Sequence, residues 1–348
     1  MPFISQDQVN EVNNKLTNDL SKLGKLYKAK KGKYQTRTVD HSLVDELLTK
    51  GWSIDKELKT KTKLVKEKTH SKEFEDDIWC QFYELGYRNL NFDETFVLPF
   101  GKDFKDKKQI DIIAIDNETV FLIECKSSKK SKKAPSYKDE FDLLRLRLDG
   151  FKKSMQQVLN RKIRIKYVFA TRNLRLDEDS YDLERLRESR SFYYNDSTYL
   201  YVNNLIKHYK NAALYQFLGL VFKNEKINDE KIEIPAIEGD MGGKKYYMFS
   251  IEPDLLLKIG FVLHRAKANE SEFPTYQRLL QPARLKGITK FINDGGYFPN
   301  SIIVNFSGKN KNKLHFEFSK TTKNSSSKLG VLKITNAYAI AYIIDGQH

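Results

Sequence analysis

The chain has 348 residues, a length typical of two or three domains. Hydrophobic residues make up 40% of it and aromatic residues 12%, which suffices for packed cores and argues against an intrinsically disordered protein. The formal net charge of +15 favours a polyanionic partner such as a nucleic acid.

The N-terminal part, residues 1–69, is polar and lysine-rich, and we expect an arm followed by a small helical and strand segment. Apolar residues recur weakly at helical spacing at Val9, Val12, Leu16, Leu20 and Leu23. This pattern fits either a loose arm or a helix. A short helix over residues 43–48 and a basic, strand-like stretch ending at Lys68 are expected next.

Residues 71–87 predict an amphipathic helix. Apolar side chains recur at helical spacing at Phe74, Ile78, Phe82 and Leu85. Gly86 is the residue type that commonly ends a helix, because it adopts the left-handed conformation without strain.

The most informative segment is a hairpin-like stretch, residues 109–126. Two apolar, β-branched runs predict adjacent buried strands joined by a polar turn. A two-residue loop, Asn117-Glu118, would place Asp111 directly opposite Glu124, with Cβ atoms about 4.5–5.5 Å apart. Lys126 shares their face because it lies two residues beyond Glu124. A change of one residue in loop length would shift this register.

Both faces of this predicted hairpin are apolar. Behind the charged end, one face carries Ile113, Ile115, Val120 and Leu122. The opposite face carries Ile110, Ile112, Ala114, Phe121, Ile123 and Cys125. A sheet that is apolar on both faces requires helices on both sides, so we expect an α/β fold.

The charged end of the hairpin is suited to phosphodiester hydrolysis. Mg²⁺ takes oxygen ligands, usually one or two carboxylates with water and substrate phosphate, so Asp111 and Glu124 are the expected metal ligands for Mg²⁺ or Mn²⁺. Such a metal lowers the pKa of a bound water, and Lys126 can orient that water or stabilise phosphate charge. The alternative is a charged strand end in solvent, with Lys126 paired to Glu124. Ionisable residues rarely interrupt buried strands without a partner or a task.

This arrangement resembles the PD-(D/E)XK restriction-endonuclease superfamily, and within it the Mrr-like branch. The resemblance covers residues 70–222 and implies a mixed sheet flanked by helices, in the order helix, three or four strands, helix, strand. It implies a supporting or metal-binding acid at Glu75. For Glu75 the alternative is a solvated glutamate favoured by the helix dipole.

The same resemblance implies a glutamine near the metal site, in the helical stretch of residues 138–160. Gln156 and Gln157 both fit, and the sequence does not choose between them. A strand is expected over residues 165–171.

Lysine-rich runs flank the predicted hairpin at residues 102–108 and 129–133. Beside a phosphodiesterase site, such loops are expected to contact the DNA backbone and to supply affinity rather than sequence choice. The alternative is ordinary solvated loops.

Residues 223–243 are charged and contain three glycines, so we expect a linker there and a second domain over residues 244–348. Its signals are Tyr276-Gln277-Arg278, a helix over 282–293, strands over 301–306 and 337–344, and a final Asp345-Gly346-Gln347-His348.

These motifs resemble the DGQHR-domain proteins, which include DndB, and the wider ParB-like group. The resemblance implies a partial α+β domain that binds a nucleoside triphosphate. Arg278 would contact phosphates, and Asp345 or Gln347 would position a metal or water. The alternative is a strand ending in an ordinary Asp-Gly turn. The final arginine of the motif is absent after His348, so we expect a C-terminally truncated domain.

Cys80 and Cys125 both lie in apolar segments, so neither a disulfide framework nor a zinc site is expected. The sequence has no apolar run of about 18 residues and no secretory leader, so we expect a cytoplasmic protein without a membrane segment.

The combined resemblances imply a Mg²⁺-dependent DNA endonuclease of a prokaryotic restriction or antiphage defence system, regulated by its DGQHR domain. Two alternatives are a DndB-like DNA-binding regulator without cleavage activity and a ParB-like nucleotide hydrolase. DNA is the expected partner. A second copy of the chain and other defence or modification proteins are further candidates.

Overall fold

The structure is a computed structural model that describes residues 2–92, 95–262, 281–298, 300–306 and 314–345. The chain divides into two compact units, residues 1–200 and 201–348. In the described residues the α-helices are α1 Gln6–Asn13, α2 Leu20–Lys31, α3 Val44–Thr49, α4 His70–Leu85, α5 Lys138–Asp142, α6 Leu144–Leu159, α7 Tyr181–Glu188, α8 Asp196–Tyr209, α9 Ala213–Val221, α10 Pro253–Ile259 and α11 Pro282–Asn293.

The strands of the first unit are β1 Leu16–Thr17, β2 Tyr34–Asp40, β3 Ser53–Glu57, β4 Lys61–Glu67, β5 Asn89–Asn91, β6 Val97–Pro99, β7 Lys107–Gln109, β8 Ile112–Ile115, β9 Thr119–Lys133, β10 Arg164–Arg175 and β11 Phe192–Tyr194. Those of the second are β12 Lys226–Met241, β13 Lys244–Phe249, β14 Gly260–Phe261, β15 Ile303–Phe306, β16 Leu314–Thr322, β17 Ser325–Ala337 and β18 Ala341–Asp345.

A six-stranded mixed sheet, in the order β1-β5-β8-β9-β10-β11, organises the first unit. Neighbouring strands from β1 to β9 run antiparallel. Strand β10 runs parallel to β9, and β11 runs parallel to β10. A parallel pair needs a crossover connection, and α5 and α6 provide it between β9 and β10.

The β8–β9 hairpin has the predicted register. Ile112 pairs with Ile123, and Ile115 pairs with Val120, as a two-residue loop requires. The Asp116 carboxylate closes the loop by accepting the N–H groups of Glu118 at 2.7 Å and Thr119 at 2.6 Å.

Helices cover both faces of the hairpin, which confirms the expectation from its apolar pattern. On one face, Val120 and Leu122 share a core with Phe151 and Met155 of α6. On the other, the Phe121 ring lies 5.4 Å from that of Phe82 in α4. One assignment was wrong: Ile110 packs with the Val120 face, because the chain bends at Asp111, before β8 begins.

Helix α4 has the predicted boundaries to within one or two residues. The side chain of Thr69 accepts the Lys72 N–H at its start, and Gly86 ends it with φ of 113°. A side-chain Cβ at this φ would be strained, so glycine suits the position.

The first 31 residues form two helices rather than a loose arm. The N–H groups of Phe3 and Ile4, before α1, donate to the Gln157 side chain of α6 at 2.7 and 3.0 Å. Helix α2 packs on α4, where the rings of Tyr27 and Tyr83 lie 4.9 Å apart. The sheet β2-β4-β3 follows, and its small core includes Val44, Trp52 and Leu64.

The second unit contains a four-stranded sheet, β13-β12-β17-β16, and a three-stranded sheet, β14-β18-β15. Its core includes Ile232, Ile234, Leu332 and Ile334. The predicted linker, residues 223–243, was therefore wrong, because β12 occupies most of it and pairs with two strands. The predicted helix over 282–293 is α11, and the two predicted strands are present as the shorter β15 and β18.

The lysine-rich runs are not both loops. Residues 129–133 continue strand β9, where Lys132 pairs with Leu174 after an irregularity in the β10 pairing. Lys107 and Lys108 belong to β7. No helix among the described residues is long and apolar enough to cross a membrane.

Candidate active site

Asp111 is held at the start of β8 by Asn91, a buried residue of the neighbouring strand β5. The Asn91 amide donates to the Asp111 carbonyl at 3.0 Å, and its side-chain oxygen accepts the Ile113 N–H at 3.1 Å. Trp79 of α4 donates to the Asn91 carbonyl at 2.9 Å. Residues of α4 and β5 thus fix the backbone from the Asp111 carbonyl to the Ile113 N–H.

The Asp111 carboxylate is directed across the hairpin toward β9. Its Oδ2 accepts the Cys125 N–H at 2.8 Å, next to Glu124. Burial, and then the charge of Glu124, raise the pKa of Asp111 to about 6. Two carboxylates therefore share a poorly solvated space, and a cation there would relieve their repulsion.

Glu124 is only 7% exposed, which makes it a buried acid at a strand end. Its Oε1 accepts the Lys126 ammonium at 2.6 Å. Its Oε2 is buried and has no hydrogen bond among the described residues, although the Lys108 ammonium lies 3.3 Å away as an ion pair. Glu124 Oε2 thus has a charged neighbour but accepts no hydrogen bond within the described residues.

Lys126 therefore forms an ion pair with Glu124, as expected for the alternative of a charged strand end in solvent. The strand end is not in solvent, however, because Glu124 is buried and about a third of the Lys126 side chain is exposed. Burial lowers the pKa of Lys126, but the Glu124 carboxylate outweighs it and keeps that pKa above its usual value. The ammonium is charged and reaches the edge of the site.

Three residues of this cluster were missed by the sequence reasoning. The Lys108 ammonium lies 2.6 Å from a Glu140 oxygen, and the Tyr167 hydroxyl donates to the same oxygen at 3.1 Å. Tyr167 pairs with Leu122 in the parallel β9–β10 register. Extending the alternation of the β9 face to β10 would have found Tyr167. Lys108 belongs to the predicted lysine-rich run 102–108, but its ion pairs with Glu140 and Glu124 depend on separate elements and have no local pattern.

Glu75 of α4 is close enough to Asp111 for its charge to act on that carboxylate. Both line one narrow cleft, together with Asn91 and two lysines, Lys30 and Lys72. The Glu75 charge also contributes to the raised pKa of Asp111. Its carboxylate lies 3.6 Å from the Lys72 ammonium.

The expected glutamine is only partly accounted for. Gln157 binds the N-terminal segment, since its amide also donates to the Ile4 carbonyl at 2.8 Å. Its side chain is thus engaged away from the carboxylates. Gln156 remains the candidate.

Of the three nucleotide-site residues expected in the second unit, the structure describes one. Asp345 ends β18 and pairs with Ile303 of β15. Arg278 and Gln347 lie outside the described residues.

The donors at the hairpin end fit a hard divalent cation such as Mg²⁺. The buried Glu124 Oε2 has no hydrogen bond, and the Asp111 pKa is raised by a second carboxylate. Within the described ranges, no group of three or more His, Cys, Asp or Glu side chains is placed to hold a metal.

Residues 234–348 match the model of the DndB family, described as DNA-sulfur modification-associated. No curated protein matches the chain. One solved structure that matches is protein VC1899 from Vibrio cholerae, at 11% identity and a TM-score of 0.27, over 61% of this chain and 58% of that one. A likeness at that TM-score does not establish a common fold.

Proposed function

We propose that this protein is a Mg²⁺-dependent DNA endonuclease, with Mn²⁺ as an alternative metal, regulated by its DndB-like C-terminal part. The observation that carries the proposal is a pair of carboxylates at the end of one hairpin, the half-buried Asp111 and the buried Glu124, with Lys126 on the same strand as Glu124. Lys126 and Lys108 pair with Glu124, whereas Asp111 forms no ion pair among the described residues and has a raised pKa, as expected of a carboxylate whose charge a bound cation would stabilise.

The order of elements around the pair supports a PD-(D/E)XK-type fold. Helix α4, the antiparallel strands β5, β8 and β9, the helices α5 and α6, and the parallel strand β10 occur in this order, with the separate β6–β7 pair inserted between β5 and β8. This is the helix, three strands, helix, strand order that the motif resemblance implies.

In this proposal Asp111 and Glu124 hold the metal, and Glu75 supports Asp111 from α4. The bound metal would supply a water of lowered pKa and positive charge for the scissile phosphate. Lys126, released from Glu124, donates hydrogen bonds to the attacking water or to a phosphate oxygen. Lys108 contacts Glu140 and Glu124 together and so restrains Glu124.

DNA backbone contact is proposed for the end of β9. Lys129, Lys130 and Lys132 are exposed on the strand that carries Lys126. Within the described residues none of the three forms an ion pair. A row of unpaired ammonium groups beside the site suits a polyanion and predicts strong salt dependence.

A second candidate function, favoured by the family match, is a DndB-like DNA-binding regulator without cleavage activity. The match covers only residues 234–348, whereas the carboxylate pair lies outside it. A pure DNA binder has no use for a buried acidic pair facing phosphate, so the endonuclease is our first choice. In either case we propose a cytoplasmic prokaryotic protein that works with DNA-defence or modification proteins, with a homodimer as one working form.

The first test is incubation of the protein with plasmid DNA and Mg²⁺, beside Lys126→Ala and an EDTA control. Lys50→Ala is the matched control, because Lys50 forms an exposed ion pair with Glu46 at 2.5 Å. We expect cleavage by the wild type and Lys50→Ala alone. Cleavage by Lys126→Ala would refute the assigned site. A wild-type protein that binds DNA but leaves the plasmid intact would favour the regulator.

A further inference from the structure

A buried cluster of lysines adjoins the carboxylate pair and takes no part in the mechanism above. The Asp76 side chain of α4 is almost fully buried, and three ammonium groups contact it: Lys30 at 2.6 Å, Lys68 at 2.8 Å and Lys72 at 3.3 Å. Burial raises the pKa of Asp76, but Lys30 and Lys72 outweigh it and hold that pKa below its usual value. One carboxylate is thus shared by three buried cations.

One of the three lysines has a structural task. The Lys68 ammonium is the most deeply buried, and it also donates to the α2 carbonyls of Lys30 at 2.7 Å and Ala29 at 3.4 Å. It therefore binds the last turn of α2, where unpaired carbonyl groups need donors. Lys68 and Asp76 alone would neutralise each other.

The other two lysines face the candidate active site. Lys30 and Lys72 line the cleft that Asp111 and Glu75 also line. Lys72 also lies 3.6 Å from the Glu75 carboxylate, so two acids, Asp76 and Glu75, face three ammonium groups whose removal from water is costly. The cleft thus carries two lysines and two acids, with Lys72 and Glu75 both on α4.

We infer that Lys30 and Lys72 form a phosphate-binding subsite for the nucleic-acid backbone, beside the carboxylate pair. This rests on the proposed function. A cation held by Asp111 would leave the cleft with excess positive charge, which a backbone phosphate would neutralise. The subsite gives helix α2, in the N-terminal segment, a direct part in substrate binding, with Asp76 as the residue that positions both lysines.

The test uses Lys30→Gln and Lys72→Gln in the full chain. Asp76 keeps two ammonium neighbours in either variant, so we expect melting temperatures close to that of the wild type. Lys28→Gln is the matched control, because Lys28 is exposed on the same helix and does not line the cleft. Lys30→Arg tests charge, because arginine also binds phosphate.

Binding to a fluorescent DNA duplex is measured with Mg²⁺ in a Lys126→Ala background over a range of salt concentrations. Each glutamine variant should weaken binding for every duplex sequence and lower the slope of log affinity against log salt by about 1. Cleavage by the same variants with Lys126 intact should fall about tenfold in kcat/KM. Lys28→Gln should change neither readout, and Lys30→Arg should restore most of the salt slope.

The two proposals can fail separately. Cleavage by the wild type with unchanged binding and cleavage in both glutamine variants would overturn the subsite alone. Binding that weakens as expected, in a wild type that never cleaves, would overturn the endonuclease and keep the subsite. A wild type that does not bind DNA would overturn both.

Discussion

Two hairpins of this molecule carry acidic residues, and their surroundings shift the pKa values of those acids in opposite directions. In the β16–β17 hairpin, Glu317 is half exposed and lies 2.7 Å from the Lys333 ammonium, whose hydrogen bond lowers the Glu317 pKa. In the β8–β9 hairpin, burial and Glu124 raise the Asp111 pKa. The first arrangement is ordinary surface pairing, and the second places like charges together away from water.

The comparison shows that the charge of a strand residue is a weak sign of function. Both hairpins place an acid near a lysine. The sign that separates them is the direction of the pKa shift, which reports whether the fold supports the charged form. A site that awaits a cation is expected to disfavour its own charges.

The largest expected effect is on plasmid cleavage, when one glutamate in each hairpin is replaced by alanine. Glu124→Ala should reduce plasmid cleavage by at least about 10²–10³-fold, because it removes a metal ligand and the partner of Lys126. The fold should persist, since Lys108 keeps Glu140 at 2.6 Å. Glu317→Ala should leave cleavage unchanged. Equal activity of the two variants in a plasmid assay would remove the functional distinction between the hairpins.

The second expected effect is on stability, because removing the charge of Asp111 should raise the free energy of unfolding. The Asp111 pKa is raised from about 3.9 in the unfolded chain to about 6, so its effect on stability is neutral below pH 4 and unfavourable above pH 6. In EDTA, Asp111→Asn should therefore raise the free energy of unfolding by about 1–3 kcal/mol at pH 7.5. An asparagine oxygen can still accept the Cys125 N–H.

Urea unfolding of wild type and Asp111→Asn at pH 4, 5, 6 and 7.5 checks this prediction. The difference between the two proteins should grow from near zero at pH 4 to its full value above pH 6. A constant difference across that range would mean that the carboxylate is not destabilised by its surroundings.

Bound Mg²⁺ should offset the loss of stability that the ionised Asp111 carboxylate causes. Mg²⁺ at ten times its dissociation constant should stabilise the wild type by about 1.4 kcal/mol, because it binds only the folded state. The gain should shrink below about pH 6, where Asp111 takes up a proton. Melting curves with and without Mg²⁺ test this, with Glu124→Ala as the control that should lose the gain. A similar gain in that control would place the metal elsewhere.

The sequence predicted the centre of this site but not its surroundings. A loop of two residues fixes the register from Ile112 to Val120, so local information was enough for the hairpin, whereas the bend at Asp111 was not predicted. Lys108 and Glu140 come from a separate strand and a separate helix, and only tertiary packing brings them together. The missed strand β12 is different, because Ile232, Ile234 and the following alternate residues are buried with a period of two that the sequence displays.

The smallest effect belongs to the exposed hairpin. Because Lys333 lowers the Glu317 pKa, that carboxylate contributes stability above its unfolded pKa, and the contribution is lost as the pH falls through the folded pKa. Exposure and salt screen the pair, so Glu317→Gln should lower the urea midpoint slightly at low salt and neutral pH, and not measurably at physiological salt. Urea titrations at two salt concentrations measure this beside Asp111→Asn, which should move the midpoint in the opposite direction. If Glu317→Gln also stabilised the protein at neutral pH, a raised stability would reflect lost charge in general, and the contrast between the two hairpins would disappear.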